Sequence, residues 1–420
     1  MRFSAPKGTR DILSPEVDKW ALIESRARQI FSNYGFKEIR TPVFEPAELF
    51  TRSIGEVTDI VTKEMYLFED KKGRPLALRP ENTAGVIRAY LENGLAPESV
   101  HKLFYIGPMF RYERPQAGRY RQFHQIGAEI VGSGSPLSDA ETILLNIDLF
   151  SSLGIGGLKV RINTIGCSAC RDNFTKAVVG YLSGKKDLLC GNCRIRMEKN
   201  PLRVFDCKVP SCREVIKGAP GTMDSACGKC KDAYNAVFSA VEKNIKPYSI
   251  EYDKYLVRGL DYYTGTVFEI VSSALGAQDT LSAGGRYDNL VEELGGPKVP
   301  ACGFAFGEER CSLILSGDFP ENYHLGVAAL EEKYCETAFD MVYSLRKNGF
   351  KVYFDNKSGK LKNFLSKASR LNIAFTAIIG ENEFIKKTVL IKNMRENSQE
   401  EVGLDSVLAY LSGKKQGGRF

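Results

Sequence analysis

Arginine side chains next to aromatic and carboxylate residues are the most prominent chemical feature of this sequence. In Phe104–Gly132 a basic loop joins two apolar stretches, and Arg111, Glu113 and Arg119 surround a Pro-Gln-Ala-Gly turn. An arginine fork can hold two phosphate oxygens at once, and an aromatic ring such as Phe123 can stack on a nucleobase. The pattern favours a nucleotide site. The alternative is an exposed hairpin that carries a solvated run of charges.

Two further arginine-containing stretches favour the nucleotide site over the exposed hairpin. The sequence LVRGLDYYTGTVFEI (Leu256–Ile270) places Arg258 and a pair of tyrosines at a predicted turn before a strand. The sequence GFAFGEER (Gly303–Arg310) is typical of a strand of small residues whose last arginine enters a helix. Three arginine-centred sites in one domain indicate that the ligand is a polyphosphate.

Several other kinds of nucleotide or catalytic site are excluded by their missing motifs. The chain has no G-x-x-x-x-G-K-[ST] loop, and Gly154, Gly156 and Gly157 do not complete a G-x-G-x-x-G fingerprint. The three histidines are far apart in the sequence and lack zinc-ligand spacing among themselves, which argues against a histidine-based metal hydrolase. Motifs for a serine nucleophile are absent as well. Any nucleotide must therefore be held in another way.

Composition is that of a folded globular protein. The chain has 420 residues, of which 43% are hydrophobic and 26% are charged, and this length suits two or three domains. The formal net charge of +7 permits nucleic-acid binding without requiring it. No apolar run approaches the roughly 18 residues of a membrane-spanning helix, and charged residues occupy the start, where a signal peptide would be hydrophobic. We therefore expect a cytoplasmic protein.

Cysteine is concentrated in one segment, since eight of the eleven cysteines lie between Cys167 and Cys230. In a large chain without an export signal, such clustering favours metal binding or reduced thiols over disulfides. Paired thiolates at C-x-x-C spacing can fill two corners of a tetrahedral zinc site, so eight ligands would serve two sites; reduced thiols on helices are the alternative. The candidate zinc ligands are Cys167, Cys170, Cys190, Cys193, Cys207, Cys212, Cys227 and Cys230.

The secondary-structure elements that position these residues are predicted to be a mixture of helices and strands. Apolar residues recur at helical spacing after Ser14 as N-cap and Pro15 as the first helical residue, until Gly35 ends the pattern. Strand patterns follow that are joined by glycine, proline and charged stretches, which favours an antiparallel sheet. The predicted strands are Leu76–Leu78, Lys102–Ile106, Gln125–Val131, Leu158–Ile162, Tyr255–Val257, Thr266–Val271 and Gly303–Phe306.

The cysteine-rich segment 171–246 interrupts this pattern, with helices predicted at Asp172–Leu182 and Asp232–Val241. We interpret it as a module inserted into a catalytic domain of residues 1–320, which ends in a turn-forming stretch. Residues 324–420 alternate between strand and helix patterns, as in a small α/β domain. Its predicted strands are Leu325–Leu330, Phe350–Phe354, Ile373–Ile379 and Thr388–Ile391, and its predicted helices are Lys333–Lys347, Leu361–Leu371 and Leu404–Leu411. The predicted fold class is α+β.

With these motifs the sequence resembles the class II aminoacyl-tRNA synthetases, and in particular the bacterial histidyl-tRNA synthetases. The likeness runs over essentially the whole chain, from PKGTRDILSPE onward. The first class motif matches Tyr34–Pro42 and implies a dimer interface, the second matches Phe110–Glu129, and the third matches Gly303–Arg310. The stretches LVRGLDYYTGTVFEI and AGGRYDNL (Ala283–Leu290) resemble two that are peculiar to histidyl enzymes. The implied fold is an antiparallel sheet flanked by helices, with a C-terminal anticodon-binding-like domain.

The resemblance implies a role for each matching residue. Arg258 would take the α-phosphate of ATP and is, with Arg111, an implied catalytic residue. Gln116 would read the extra guanosine at the 5′ end of histidine tRNA. The implied ATP-binding residues are Arg111, Glu113, Arg119, Phe123 and Arg310, and the implied histidine-binding residues are Glu81, Thr83, Gln125, Glu129, Arg258, Tyr262 and Tyr263.

One position departs from the family's pattern. Where the family usually has glycine, this sequence has Asn82, next to Glu81. Asparagine tolerates a positive φ better than most residues. We therefore expect the turn to survive, with an altered fit around Glu81.

The implied activity is that of a homodimeric histidine–tRNA ligase, with ATP and Mg²⁺ for histidine activation and histidine tRNA as the partner. One rival is the regulatory subunit of ATP phosphoribosyltransferase, a relative that shares the fold and can bind histidine. It typically lacks the C-terminal domain and the complete arginine set, which are present here. A second rival is another class II synthetase of the prolyl or threonyl type, against which the Arg258–Tyr263 stretch argues.

Overall fold

The described residues form three β-sheets, two in the first unit of the chain and one in the second. The structure, a computed structural model, describes residues 3–55, 58, 60–113, 119–276, 279–316 and 323–416. The chain divides into the units Met1–Ser316 and Gly317–Phe420.

The first unit contains eleven strands and ten helices in its described residues. The strands are β1 (Lys37–Glu38), β2 (Phe44–Pro46), β3 (Leu67–Glu69), β4 (Pro75–Leu78), β5 (His101–Phe110), β6 (Gln122–Val131), β7 (Leu158–Thr164), β8 (Ser249–Tyr252), β9 (Thr264–Ser272), β10 (Thr280–Arg286) and β11 (Ala301–Gly307). The helices are α1 (Glu16–Asn33), α2 (Ala47–Ile54), α3 (Thr83–Glu92), α4 (Pro136–Ser152), α5 (Ser168–Ser183), α6 (Gly191–Lys199), α7 (Pro210–Lys217), α8 (Gly228–Asn244), α9 (Leu290–Glu293) and α10 (Glu308–Ile314).

The large sheet has eight strands in the order β1-β5-β6-β11-β10-β9-β7-β8. Its six central strands, from β5 to β7 in this order, are antiparallel to one another, and only the outermost pairs, β1 with β5 and β7 with β8, are parallel. The predicted fold class, an antiparallel sheet flanked by helices, is confirmed. Strands β2, β4 and β3 form a separate small sheet.

Helix α1 begins one residue later than predicted. Glu16 is its first residue, and Pro15 occupies the N-cap position that was expected for Ser14. The predicted apolar stripe is confirmed, since Trp20, Ile23 and Phe31 are buried. The helix ends before Gly35, whose φ of +80° is one that glycine adopts without a steric penalty.

The predicted strand Tyr255–Val257 is wrong. The chain instead turns after β8, where the Asp253 carboxylate accepts a hydrogen bond from the backbone N–H of Tyr255 at 3.0 Å. Val257 is buried with the core of the cysteine-rich segment. Its apolar character therefore reflects packing under the inserted helices, not membership of the sheet.

The cysteine-rich segment consists of short helices around a small core of its own. Helices α5 to α8 and the 3₁₀ turn Pro201–Asp206 surround buried residues that include Phe174, Val178 and Phe205. Helix α5 extends the predicted Asp172–Leu182 at both ends, and α8 does the same for Asp232–Val241.

The second unit is a five-stranded sheet with helices. Its strands are β12 (Leu325–Ala329), β13 (Val352–Tyr353), β14 (Phe375–Ile379), β15 (Thr388–Asn393) and β16 (Ser398–Gly403), in the order β13-β12-β14-β15-β16. Its helices are α11 (Cys335–Lys347), α12 (Leu361–Arg370), α13 (Glu381–Lys386) and α14 (Val407–Gln416). The predicted α/β character is confirmed, but the strand expected over Phe350–Phe354 is only two residues long. Strand β16 was not predicted, because most of its residues are polar and exposed.

The described helices include none with the length and hydropathy needed to cross a membrane.

Candidate active site

A cavity of about 460 Å³ opens in the first unit against the face of the large sheet. It is lined by residues from β5, β6, β10 and β11, from the start of α3, and from the loop that precedes β9. Twelve of the residues singled out in the sequence line it together: Glu81, Thr83, Arg111, Glu113, Arg119, Phe123, Gln125, Glu129, Arg258, Tyr262, Tyr263 and Arg310. The remaining one outside the cysteine clusters, Gln116, lies outside the described residues.

Glu81 is a buried carboxylate held by the first turn of α3. Its two oxygens accept hydrogen bonds from the backbone N–H groups of Thr83 at 2.7 Å and Ala84 at 3.0 Å. Burial raises its pKa, and these two hydrogen bonds oppose that shift. The helix start therefore fixes a carboxylate on the wall of the cavity.

Glu129, on β6, is a second buried carboxylate. It accepts hydrogen bonds from the hydroxyls of Thr83, at 2.8 Å, and Tyr287. Burial raises the pKa of Glu129 to about 8, although both hydrogen bonds act to lower it. In this arrangement Glu129 can bind a cation once it has lost its proton.

A glycine on the neighbouring strand leaves space for the carboxylate of Glu129. Gly303 on β11 lies directly opposite Glu129 on β6. A Cβ atom at residue 303 would stand 1.7 Å from the Oε2 atom of Glu129, which is far inside van der Waals contact. The absence of a side chain at Gly303 is therefore a requirement of the site.

Gln125 adds an acceptor that is not used within the protein. Its Oε1 atom is buried and has no hydrogen-bond partner among the described residues. Buried polar atoms are almost always paired, so such an atom on a cavity wall points to a ligand with an N–H or O–H group.

Three tyrosines contribute aromatic surface to the cavity. The rings of Tyr262 and Tyr263 have centroids 4.7 Å apart, and Tyr287 meets Tyr262 edge-on at 5.5 Å. All three are buried. Together they present aromatic surfaces and hydroxyls to a small planar ligand.

The arginines line the remainder of the cavity. The Nε atom of Arg111 donates to the carbonyl of Pro80 at 2.8 Å, and its guanidinium lies 5.2 Å from the centroid of the Phe123 ring. Arg310, in α10, donates to the carbonyl of Thr280 at 2.7 Å. Arg119 is paired with Glu113 at 3.3 Å.

Arg258 is the most constrained of these arginines. Its Nη1 atom donates to Glu269 at 2.5 Å, and its Nε atom is buried without a partner among the described residues. Burial acts to lower the pKa of Arg258, but the charges of Glu269, Tyr263 and Asp206, together with the hydrogen bond to Glu269, raise it above its ordinary value. Arg258 is thus a fixed cation with hydrogen-bonding capacity left for an anion.

The turn at Asn82 survives, as expected, and it does so without a positive φ. The φ of Asn82 is −120°, and Asn82 is the N-cap residue of α3. Its Oδ1 atom accepts hydrogen bonds from Thr41 at 2.6 Å and from Arg79 at 3.3 Å. The buried side chain of Asn82 thus connects the residue next to Glu81 to Thr41 and Arg79.

The eight candidate zinc ligands form two clusters outside this cavity. In each cluster the four sulfur atoms lie within 4.8 Å of one another. One contains Cys167, Cys170, Cys227 and Cys230, and the other contains Cys190, Cys193, Cys207 and Cys212.

Comparisons with known proteins show which family the chain belongs to. The sequence model of the histidyl-tRNA synthetase family matches residues 8–169 and 200–310, and that of an anticodon binding domain matches residues 324–414. The chain belongs to the histidyl-tRNA synthetase family. The resemblance inferred from the sequence motifs is confirmed.

Relatives of this histidyl-tRNA synthetase family member match over nearly their full length. It is 46% identical over 420 residues to the histidine–tRNA ligase of Thermodesulfovibrio yellowstonii, covering 99% of each chain. It is also 46% identical over 416 residues to that of Halothermothrix orenii, covering 97% of this chain and 98% of the relative. The structure of apo S. aureus histidyl-tRNA synthetase is 34% identical and superposes with a TM-score of 0.80, covering 98% of this chain and all of the other.

Other lining residues of this synthetase family member were not identified from the sequence, and Tyr287, Tyr105 and Arg203 are among them. Tyr287 lies in the AGGRYDNL stretch, but only the fold places its hydroxyl against Glu129. Tyr105 is a buried wall residue on β5, at a position typical of ordinary sheet packing. Arg203 reaches the cavity from the cysteine-rich segment, which no pattern in the sequence linked to the site.

Proposed function

We propose that the protein is a histidine–tRNA ligase, which activates histidine with ATP and then transfers it to the 3′ end of histidine tRNA. As a member of this family it is an ATP-dependent aminoacyl-tRNA ligase. The observation that carries the proposal is one cavity that combines buried acceptors with a set of arginines. The acceptors suit a small polar amino acid, and the arginines suit the phosphates of ATP.

The histidine end of the cavity is assigned by the chemistry of its walls. Glu81 and Glu129 offer carboxylates to the α-ammonium group, while Gln125 and a tyrosine hydroxyl satisfy the two ring nitrogens of the imidazole. An apolar side chain in the same place would leave buried polar groups unpaired. A site of this kind rejects such substrates strongly.

The activation step is a displacement at the α-phosphorus of ATP. A histidine carboxylate oxygen attacks, a new O–P bond forms, and the bond to the bridging oxygen breaks so that pyrophosphate leaves with the electron pair. Arg258 neutralises the charge that builds up on the α-phosphate, which makes it the central electrostatic group of the site. Arg111 and Arg310 hold the phosphates, Arg119 assists them, and Phe123 stacks on the adenine.

Magnesium is the proposed companion of ATP. Mg²⁺ in nucleotide sites is bound by one or two carboxylates together with the phosphates. Glu113 lines the cavity and is paired with Arg119, so a carboxylate donor is present among the arginines. The ion would neutralise phosphate charge there. Structural zinc on the two cysteine clusters is a separate proposal, because both clusters lie outside the cavity.

The remaining assignments follow from the family. We propose a catalytic domain over 1–320 interrupted by the module 171–246, and an anticodon-binding domain over 324–420. Residues Tyr34–Pro42 form the interface of a homodimer, and Gln116 contacts the end of the tRNA. The enzyme works in the cytoplasm, where tRNA and ATP are present.

The test of this function is histidine-dependent exchange between pyrophosphate and ATP. We expect the purified protein to exchange label with histidine and with no other standard amino acid. Exchange with another amino acid would contradict the proposed specificity. A folded protein that binds histidine but does not catalyse exchange would instead be a regulatory relative.

The raised pKa of Glu129 predicts a pH dependence of histidine binding. Below about pH 8 the free site holds a proton on Glu129, and the α-ammonium must displace it. Histidine affinity should therefore rise with pH from 7 to 8 and level off above, with close to one proton released per histidine bound at pH 7. Calorimetry in two buffers of different ionisation enthalpy measures that release.

A Glu129→Gln variant is the control for this measurement. It keeps the size of the side chain and removes its proton, so the titration of histidine itself can be subtracted. Equal proton release by the variant and the parent protein would show that Glu129 is ionised before histidine binds.

A further inference from the structure

The cysteine-rich segment contacts the loop that carries Arg258. Arg171 on α5 donates a hydrogen bond to the backbone carbonyl of Asp261 at 3.0 Å. Asn200 donates to the Oδ1 atom of the same residue at 2.9 Å. Two separate parts of the segment therefore meet at Asp261, between Arg258 and the tyrosine pair.

A third contact extends this junction to the cavity. Arg203 lines the cavity and is paired with Asp206 at 3.0 Å. Its Nη1 atom lies 2.8 Å from the point where a Cβ atom would stand on Gly259. The guanidinium thus packs against the backbone next to Arg258, and a Cβ atom at residue 259 would require it to shift.

Each of these contacts is made by a residue that is close in sequence to a cysteine of one of the clusters. Arg171 directly follows Cys170, and its backbone N–H donates to the carbonyl of Cys167 at 2.9 Å. Asn200 and Arg203 lie between Cys193 and Cys207. Whatever fixes the cysteines therefore also fixes the residues that hold the loop.

The sulfur atoms are spaced as a single metal ion requires. Tetrahedral zinc with Zn–S bonds of about 2.3 Å places its sulfur ligands about 3.8 Å apart. In the first cluster, the sulfurs of Cys167 and Cys170 are 3.5 Å apart, and those of Cys170 and Cys230 are 4.0 Å apart. In the second cluster, those of Cys190 and Cys207 are 3.9 Å apart.

Backbone N–H groups point at the sulfur atoms in both clusters. Cys227 donates to the sulfur of Cys170 at 3.1 Å, and Cys167 donates to the sulfur of Cys230 at 3.3 Å. In the second cluster Cys190 donates to the sulfur of Cys212 at 3.2 Å. Such bonds stabilise thiolates, the form in which cysteine binds a metal. All eleven cysteines of the chain are free thiols.

We propose that the segment binds two zinc ions, one in each four-cysteine cluster, and that both sites brace the loop 258–263 from outside the cavity. The pairing is interleaved: the outer C-x-x-C pairs share one ion, and the pair at 190 and 193 shares the other with Cys207 and Cys212. Four thiolates in a closed tetrahedron leave no position for substrate, so both sites are structural. The proposal that the two sites hold the loop in place rests on the proposed ligase function. The proposal that they bind zinc does not.

The first measurement is the metal content of the full-length protein purified without chelator. Elemental analysis should find two zinc ions per chain. Zinc should be released in two steps as a mercurial reagent titrates the thiols, with a chromogenic chelator as the reporter. Absence of metal, one ion per chain, or iron in place of zinc would each overturn the proposed pair of zinc sites.

Cysteine variants test the pairing. Cys193→Ser combined with Cys207→Ser should reduce the content from two zinc ions to one, and Cys167→Ser combined with Cys230→Ser should do the same. Cys335→Ser, in the second unit, is the matched control and should keep both ions. Loss of both ions from either double variant would show that the clusters do not bind independently.

Asn200→Ala tests the bracing without touching a metal ligand. It should keep two zinc ions and lower the rate of adenylate formation about tenfold, on the scale of one lost hydrogen bond to a charged group. The KM for histidine should change much less, because the loop positions Arg258 for the transition state. An unchanged rate would overturn the bracing. A wild-type protein without histidine-dependent exchange would instead overturn the ligase function and leave the zinc count unaffected.

Discussion

Arg258→Lys should lower the rate of histidyl-adenylate formation by about a hundredfold or more, on the scale of removing one preorganised donor. Lysine keeps a positive charge at this position but loses the planar fork that can hold two oxygens. In the structure one nitrogen of Arg258 is committed to Glu269 and its Nε atom is buried without a partner among the described residues. A single ammonium group cannot serve the carboxylate and the α-phosphate in the same geometry.

Histidine affinity should change far less in this variant. An interaction that strengthens only while charge develops lowers the barrier without contributing to ground-state binding. Single-turnover adenylate formation, measured beside calorimetric histidine binding, separates the two quantities.

A matched control exists on strand β7. Like Arg258, Arg161 is a partly buried arginine paired with a carboxylate, that of Asp279 at 2.7 Å. Unlike Arg258, it does not line the cavity. Arg161→Lys should leave adenylate formation close to the parental rate. If Arg258→Lys also forms adenylate at that rate, Arg258 is a structural residue of its turn.

The parts of the fold that sequence reasoning predicted are those with a local physical signal. Helix α1 has a buried apolar stripe, and β5, β6 and β9 are apolar stretches that are largely buried, so their positions were found within a few residues. Strand β16 carries no such pattern, because it is an exposed edge strand that gains its order by pairing with β15. Tyr255–Val257 has a strand-like composition, but it packs under inserted helices that a local pattern cannot reveal.

In the active site, too, some features have a local sequence signal and others depend on the tertiary fold. Motif resemblance predicted twelve residues that the fold brings to one cavity. Several of their partners are distant in sequence, as Tyr287 is from Glu129 and Pro80 is from Arg111, and no spacing rule links them. The part of the cavity formed by Arg203 depends on how the cysteine-rich segment folds onto the loop, which is a tertiary property.

Gly303→Ala should weaken histidine binding by about a hundredfold and destabilise the catalytic unit by about 1–3 kcal/mol, the range for overpacked interiors. The new Cβ atom would stand 1.7 Å from the Oε2 atom of Glu129 and 2.5 Å from the backbone carbonyl of Ala128. The carboxylate cannot stay between Thr83 and Tyr287 under such a clash. Strand β6 is also pushed away from β11, because the second contact is with its backbone.

Gly180→Ala is the control, because it makes the same chemical change in helix α5, where a Cβ atom meets nothing within 4 Å. Alanine there should stabilise the protein by up to about 1 kcal/mol through helix propensity and leave histidine binding unchanged. Thermal unfolding and calorimetric titration with histidine measure both effects.

A double variant shows whether the clash acts through the carboxylate. Glu129→Asp withdraws the carboxylate from β11 by one methylene, so adding it to Gly303→Ala should recover part of the lost stability while histidine binding stays weak. The two substitutions touch the same contact, and their effects on stability should therefore be non-additive. Additive effects would mean that Gly303→Ala acts through the spacing of the strands alone, and that the missing side chain at residue 303 is not what makes room for Glu129.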